Sequence, residues 1–230
     1  MASGSTRHVA LLGHPVAHTL SPRMQNAAFA AAGLDWHYSA FDVEDVLAAV
    51  EALRTLGFAG ANVTVPHKRA VVAACDEAEG DAVNTLVIRD GRVLGFNTDK
   101  EALAGIDAEH ACVIGAGGAA RALAPALPPD TRSYTRSGAW PPEADGCDLI
   151  VNATPVRHEL LVEPHAGQVV VDLAYSIDDH EDTALIAAAR AAGCEVVDGR
   201  EALVRQGLKA FELWTGVPAP ADVMRAAVRS

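Results

Sequence analysis

The stretch Gly60-Ala61-Asn62-Val63-Thr64-Val65-Pro66-His67-Lys68 decides how the chain folds. Val63 and Val65 are β-branched and suit a buried strand. Pro66 has no N–H to extend a central strand, so the chain stops and turns there. The turn gathers Asn62, Thr64, His67 and Lys68 around one strand end. In open α/β sheets that end is where ligands bind.

Upstream, Arg7 to Gly13 reads as an apolar strand. Ser21-Pro22 reads as a helix start, serine as N-cap and proline in the first turn. That helix runs to about Ala32 and stops at Gly33. Trp36 to Phe41 is a second strand, and Asp42 is placed to cap a helix over Val43 to Leu56. This alternation predicts a mostly parallel sheet with right-handed crossovers. Downstream come a short helix to about Ala74 and an acidic loop from Asp76 to Asp81. Thr85 to Arg89 and Arg92 to Phe96 then form a hairpin around Asp90-Gly91. A hairpin returns its ends to one place, so Asn84 and Asp99 are expected to be neighbours.

Lys100 to Glu109 is a linker or short helix, where the boundary between two domains is set. Strands follow at Ala111 to Ile114, Thr131 to Thr135, Leu149 to Asn152, Val169 to Asp172 and Glu195 to Val197. Helices are expected after Gly118 to about Leu127, over Thr183 to Ala192, over Arg200 to Leu213 and over Pro220 to Arg229. The expected division is residues 1–100, completed by about 207–230, against residues 101–206. The fold class is α/β with two domains: a mostly parallel substrate domain and a Rossmann-type domain.

With 230 residues, half of them hydrophobic, the chain has ample material for a core. Its formal charge of -12, from 30 acids and 18 bases, argues against a nucleic-acid surface. Cys75, Cys112, Cys147 and Cys194 have no CxxC or metal-ligand spacing. They are expected as reduced, mostly buried thiols in a cytoplasmic protein, with no metal. Met1 to Thr6 lacks the apolar region of a signal peptide. No apolar run is long enough to span a membrane.

GAGGAAR, Gly115 to Arg121, lies between an expected strand and an expected helix, the setting of a dinucleotide loop. Gly115 and Gly117 let the backbone approach a pyrophosphate, and the helix start supplies N–H groups. A glycine-rich structural turn has the same composition. At the next strand end, Thr135-Arg136-Ser137 places an arginine where NAD-binding folds place an acid. That suits a 2′-phosphate and favours NADP, unless Arg136 is only a solvated surface residue. Lys68 and Asp99 suit proton transfer, with burial and a nearby carboxylate pulling the lysine pKa in opposite directions. They equally suit a structural ion pair bracing the sheet. Thr19, Ser21, Thr64 and Asn84 are neutral hydrogen-bonding groups fit for a polyol or carboxylate, though each also suits a cap or turn.

GHPVAHTLSP, NVTVPHK, AVNTL, GFNTD, GAGGAAR, DLIVNATP and DGREALVRQGLKAFELWTG together resemble the shikimate dehydrogenase family, in order and over nearly the whole length. The resemblance implies two α/β domains with a cleft between them, the second a Rossmann domain for NADP. It implies last helices that return to the first domain. The implied reaction is reversible hydride transfer between NADPH and the ring ketone of 3-dehydroshikimate, giving shikimate for aromatic amino acid biosynthesis. The partner is then a small molecule, in a monomer or homodimer.

Carried over by position, Lys68 and Asp99 match the catalytic pair. Thr19 and Ser21 match the hydroxyls that hold the substrate carboxylate. Thr64, Asn84 and Gln206 match ring-hydroxyl ligands, and Tyr175 matches a tyrosine near the carboxylate and nicotinamide. Gly115, Ala116, Gly117, Gly118 and Ala119 match the pyrophosphate loop. Thr135, Arg136 and Ser137 match an Asn-Arg-Thr triplet at the 2′-phosphate, and Gly199 lies near the nicotinamide segment. The departures are Thr19 for serine, Val156-Arg157-His158 for Leu-Gly-Met, Ser176-Ile177 for Asn-Pro and Lys100 for glycine. Segments are also shortened before Asn84, between Asp99 and Ala111, and after Arg136. Thr19 keeps open a relative acting on quinate or an aminoshikimate. The altered loop after Pro155 keeps open a non-catalytic binding relative.

Overall fold

The computed structural model describes residues 4–177 and 181–230 and divides the chain into two compact units. The first comprises Met1–Thr98 with Gln206–Ser230, and the second Asp99–Arg205. Met1 to Ser3, part of the polar start expected not to be a signal peptide, lie outside the described residues. Among the described residues no helix is long and apolar enough to cross a membrane.

In the first unit the strands are β1 (Arg7–Gly13), β2 (Trp36–Asp42), β3 (Gly60–Val63), β4 (Glu77–Ala78), β5 (Thr85–Arg89) and β6 (Arg92–Phe96). They form one sheet in the order β2-β1-β3-β5-β6-β4. The first three run parallel, while β3–β5 and β5–β6 are antiparallel. After β2 on one side of β1, the chain crosses to put β3 on the other. That reversal opens a crevice at the carboxyl ends of β1 and β3. The hairpin forms as read, with positive φ at both Asp90 (52°) and Gly91 (75°), as a type I′ turn requires. The acidic loop differs: Glu77–Ala78 pairs beside β6 as an edge strand.

Two helix starts also differ from expectation. Helix α1 (Ser21–Ala31) has Leu20, not Ser21, at its N-cap position, and the Thr19 hydroxyl accepts from the Ser21 N–H at 3.2 Å. The helix thus begins one residue early and Ser21 is its first residue. Helix α2 (Val46–Thr55) is capped by Asp45, whose Oδ1 accepts from Leu47 and Ala48 N–H groups, both at 3.0 Å. Strand β2 runs through Asp42, so the next suitable acid caps instead.

The second unit carries β7 (Ala111–Ile114), β8 (Arg132–Tyr134), β9 (Leu149–Asn152), β10 (Val169–Asp172) and β11 (Glu195–Val197). All pairings are parallel, in the order β11-β10-β9-β7-β8. This is the doubly wound order 3-2-1-4-5-6 with strand 3 absent, its switch point between β7 and β9. Helix α3 (Gly118–Leu123) follows β7 and passes into a 3-10 turn at Ala124–Ala126, earlier than the sequence suggests because Pro125 interrupts it. Helix α4 (Ala184–Ala191) is capped by the Thr183 hydroxyl, which accepts from Ile186 N–H at 3.2 Å.

Cys112 and Cys147, expected as reduced thiols, are joined by a disulfide. They are 35 residues apart in sequence, and only the sheet brings their Cα atoms to 6.1 Å. Cys75 and Cys194 are free and partly buried.

The last helices are α5 (Gly199–Thr215) and α6 (Ala221–Arg229). The carboxyl half of α5 belongs to the first unit and docks through aromatics. Phe211 stacks on Phe29 with centroids 5.3 Å apart, and Trp214 lies 6.0 Å from Tyr38. Trp214 Nε1 donates to the Leu86 carbonyl at 2.9 Å. Gly60 makes room for this: a Cβ there would stand 2.2 Å from Leu86 O and 2.5 Å from Trp214 Nε1. The Leu86 carbonyl is backbone and has no slack. Gly60→Ala is therefore expected to destabilise the protein by about 1–3 kcal/mol, the usual cost of overpacking. Denaturant unfolding checks this, and an unchanged midpoint contradicts it.

Candidate active site

The first unit converges its polar residues on the crevice between β1 and β3. Thr64 N–H donates to the Leu12 carbonyl at 2.9 Å, and His14 N–H to the Val65 carbonyl at 3.0 Å, tying the two strand ends together. Gly13 is needed at this crossing, since a Cβ there would lie 2.3 Å from the Thr64 methyl. The His67 N–H then closes a turn on the Thr64 carbonyl at 2.9 Å. The His67 ring is buried and its Nε2 lies 2.7 Å from the Val43 carbonyl. His67 thus anchors the turn. Lys68 is fixed at its carbonyl, which accepts from Val83 N–H at 2.8 Å, and its side chain is half-buried.

Asn84 joins this turn to the hairpin. Its carbonyl accepts from Val63 N–H at 2.8 Å and from Asn62 Nδ2 at 3.2 Å. Its side-chain Oδ1 accepts from Thr98 N–H at 2.7 Å, and its Nδ2 donates to Thr98 Oγ1 at 3.0 Å. Asn62 Nδ2 also donates to Thr85 Oγ1 at 2.9 Å, and the Tyr38 hydroxyl donates to Asn62 Oδ1 at 2.8 Å. All five side chains are nearly inaccessible. Asp99 follows Thr98 directly and begins a 3-10 turn, Asp99–Leu103, in the second unit. The roles of Thr85, Thr98 and Tyr38 are not signalled by sequence, because hydroxyl residues in and beside strands have many uses.

Thr19 and Ser21 stand at the amino end of α1, where the helix dipole favours an anion. Gln206 lies on α5 beside Gly207, whose carbonyl accepts from Gln25 Nε2 of α1 at 3.0 Å. The structure thus groups Thr19, Ser21, Thr64, Lys68, Asn84 and Gln206 in the first unit. Asp99, Tyr175, Gly199 and the glycine-rich loop belong to the second.

In the second unit Gly115 ends β7 at φ +109°, and a Cβ there would meet Thr154 and Ala153 at 3.1–3.3 Å. A side-chain-bearing residue is excluded by both backbone and space. Gly117, which has no side chain, is the N-cap of α3, and nothing lies within 4 Å of a Cβ built at Gly117 or Gly118. The loop therefore brings bare backbone to a helix start beside the switch point, which fits a dinucleotide pyrophosphate. Next to it is a cavity of about 270 Å³, lined by residues that include Tyr134, Thr135, Arg136, Trp140, Val156 and Leu161. Trp140 and Leu161 are further lining residues whose spacing in the sequence gives no signal. Arg136 lies over the Trp140 ring, 4.9 Å from its centroid, and pairs with Glu159 at 2.7 Å.

The loop after β9 is held from below. Asp172 Oδ1 accepts from Asn152 Nδ2 at 2.9 Å and from Ala174 N–H at 3.0 Å, while Oδ2 accepts from the Thr183 hydroxyl. Burial pushes the Asp172 carboxyl up, against these hydrogen bonds and the charge of Arg157. Arg157, one of the departures, thus contributes charge toward a buried acid. Gly199 packs under the same region: a Cβ there would stand 2.5 Å from the Ala174 carbonyl, next to Tyr175.

An open parallel sheet with a glycine loop at its switch point defines a nucleotide-binding α/β unit, and the chain carries a second α/β unit with a buried amide–hydroxyl network. Residues 11–86 match the shikimate dehydrogenase substrate binding domain, and residues 199–229 the shikimate 5′-dehydrogenase C-terminal domain. A shikimate dehydrogenase (NADP(+)) of Moorella thermoacetica is 40% identical, covering 98% of this chain and 93% of the relative. A shikimate dehydrogenase solved in complex with NADP+ superposes with a TM-score of 0.87 at 33% identity, over 99% of this chain and 96% of that one. The Thermus thermophilus enzyme in complex with NADP(H) and shikimate gives 0.82 at 34% identity, over 97% and 98%. The chain belongs to the shikimate dehydrogenase family.

At the rim of the first unit, Asp42 pairs with the His14 imidazole and holds its pKa above the ordinary 6.5, through the hydrogen bond first and the charge second. A raised folded-state value means that the pair's contribution to stability is full below about pH 6.5 and is lost as pH rises through the folded value. In an NMR titration His14 is expected to protonate above 6.5, and Asp42→Asn to bring it back toward 6.5. An identical titration in the two proteins contradicts the pairing.

Proposed function

We propose that this protein is an NADP-dependent shikimate dehydrogenase that interconverts 3-dehydroshikimate and shikimate. One observation supports the proposal: backbone hydrogen bonds hold the segments bearing Thr64, Lys68 and Asn84 together where β3 ends and β5 begins, in the same unit as Thr19 and Ser21 at the start of α1. That set supplies hydroxyl and amide partners for a polyol, an anion site for a carboxylate, and one group able to move a proton. The relatives' activity agrees with it.

In this reading Thr19, Ser21 and the α1 amino end hold the substrate carboxylate. Thr64, Asn84 and Gln206 hold ring hydroxyls, and Tyr175 stands near the carboxylate. Lys68 takes the proton from the reacting hydroxyl in one direction and returns it in the other. Asp99 accepts a hydrogen bond from that hydroxyl and orients the lysine. Gly115, Ala116, Gly117, Gly118 and Ala119 receive the pyrophosphate, Gly199 lies near the nicotinamide, and Thr135, Arg136 and Ser137 read the 2′-phosphate. NADP, when bound, supplies the hydride acceptor. The proposal extends to a monomer or homodimer in the cytoplasm. The free thiols of Cys75 and Cys194 favour that location, while the Cys112–Cys147 bridge speaks against a strongly reducing one.

The direct test follows reduced nicotinamide by absorbance with shikimate and NADP, and with quinate or NAD as alternatives. Reduction fastest with shikimate and NADP supports the proposal. Folded protein that binds NADP yet reduces none of it with either acid overturns it. Lys68→Ala is expected to lower kcat by about 10²–10⁴-fold with KM nearly unchanged, the range for a lost acid–base group. Unchanged turnover would remove Lys68 from the mechanism. Arg136→Ala is expected to raise KM for NADP by about tenfold or more and to leave NAD within about twofold, as loss of a guanidinium–phosphate contact does. Equal losses for both cofactors would remove Arg136 from phosphate recognition.

A further inference from the structure

The group assigned to the 2′-phosphate already has an anion of its own. Arg136 Nη2 donates to Glu159 Oε2 at 2.7 Å, and the guanidinium lies on Trp140. Arg136 sits in the turn after β8 and Glu159 in the loop after β9, and these strands flank β7 on opposite sides. The pair therefore joins two loops, each of which lends residues to the cavity lining: Arg136 and Trp140 from one, Val156 and Leu161 from the other. Both side chains are more than half exposed, at 62% and 57%, where an ion pair adds little to stability.

We propose that Glu159 sets the cofactor selectivity of this protein by competing with the 2′-phosphate for Arg136. The inference rests on the reading of Arg136 as the phosphate-binding group. A phosphate monoester carries between one and two negative charges near neutral pH. With NADP, the carboxylate either gives up the guanidinium or remains beside a like charge, and both weaken binding. NAD carries a hydroxyl at that place, and a ribose hydroxyl donates to a carboxylate, as in NAD-binding folds. Glu159 thus opposes NADP and tolerates NAD, which narrows the preference that Arg136 creates.

The test is calorimetric binding of adenosine 2′,5′-bisphosphate and of 5′-AMP to wild type, Glu159→Gln and Arg136→Ala, alongside KM for NADP and NAD. In Glu159→Gln the bisphosphate is expected to bind about three- to fivefold tighter, the range for an exposed charge pair, with AMP within about twofold. The ratio of KM for NAD to KM for NADP rises by the same factor. Glu159→Lys is expected to shift the bisphosphate further in the same direction. If bisphosphate binding depends on Arg136 but is indifferent to Glu159, the competition is overturned and the assignment of Arg136 stands. If wild type and Arg136→Ala bind the bisphosphate equally, that assignment fails and the competition fails with it.

Discussion

The first unit depends on a buried hydrogen-bond network in which Asn84 is the common partner. Asn62, Asn84, Thr85, Thr98 and the Tyr38 hydroxyl are nearly sealed from water. An unpaired amide or hydroxyl in that position costs about 1–3 kcal/mol, so each partner is held by the others' need. The consequence reaches beyond stability. Asn84 binds Val63 through its carbonyl and Thr98 through its side chain. The end of β3, which leads to Lys68, and the end of the hairpin, which leads to Asp99, are fixed by the same residue.

The same economy operates in the backbone. Gly13 lets the ends of β1 and β3 meet, and Gly60 lets Trp214 reach the Leu86 carbonyl. The second contact fastens the carboxyl half of α5 to a sheet formed more than a hundred residues earlier. Gly115 does the equivalent in the second unit, where its positive φ turns the chain over Ala153 and Thr154. In each case the absence of a side chain permits a close approach of two segments.

Much of this was legible in the sequence, for reasons that can be named. Asp90-Gly91 specifies its hairpin because both residues tolerate positive φ. GAGGAAR marks a turn between strand and helix because its first glycine, Gly115, takes a positive φ with no room for a side chain. The strands at Leu149–Asn152 and Val169–Asp172 stand out as short β-branched runs between breakers. Caps were harder. Asp42 and Asp45 are equivalent as sequence signals, and the choice between them was made by how far β2 continues beside β1. Ser21 likewise looked like a cap and became a helical residue.

Sequence by itself determined the α/β plan and the order of all the strands but β4, because turn chemistry and hydrophobic period act over a few neighbours. Tertiary structure alone decided the partnerships. It joined Cys112 to Cys147, set His67 to brace a turn, gathered Trp140 and Leu161 around one cavity and gave Arg136 the carboxylate of Glu159. These contacts link residues that lie from 23 to 35 positions apart or on separate loops. Such distances are closed by strand order and crossover, and local pattern carries no record of which loops a sheet will bring side by side.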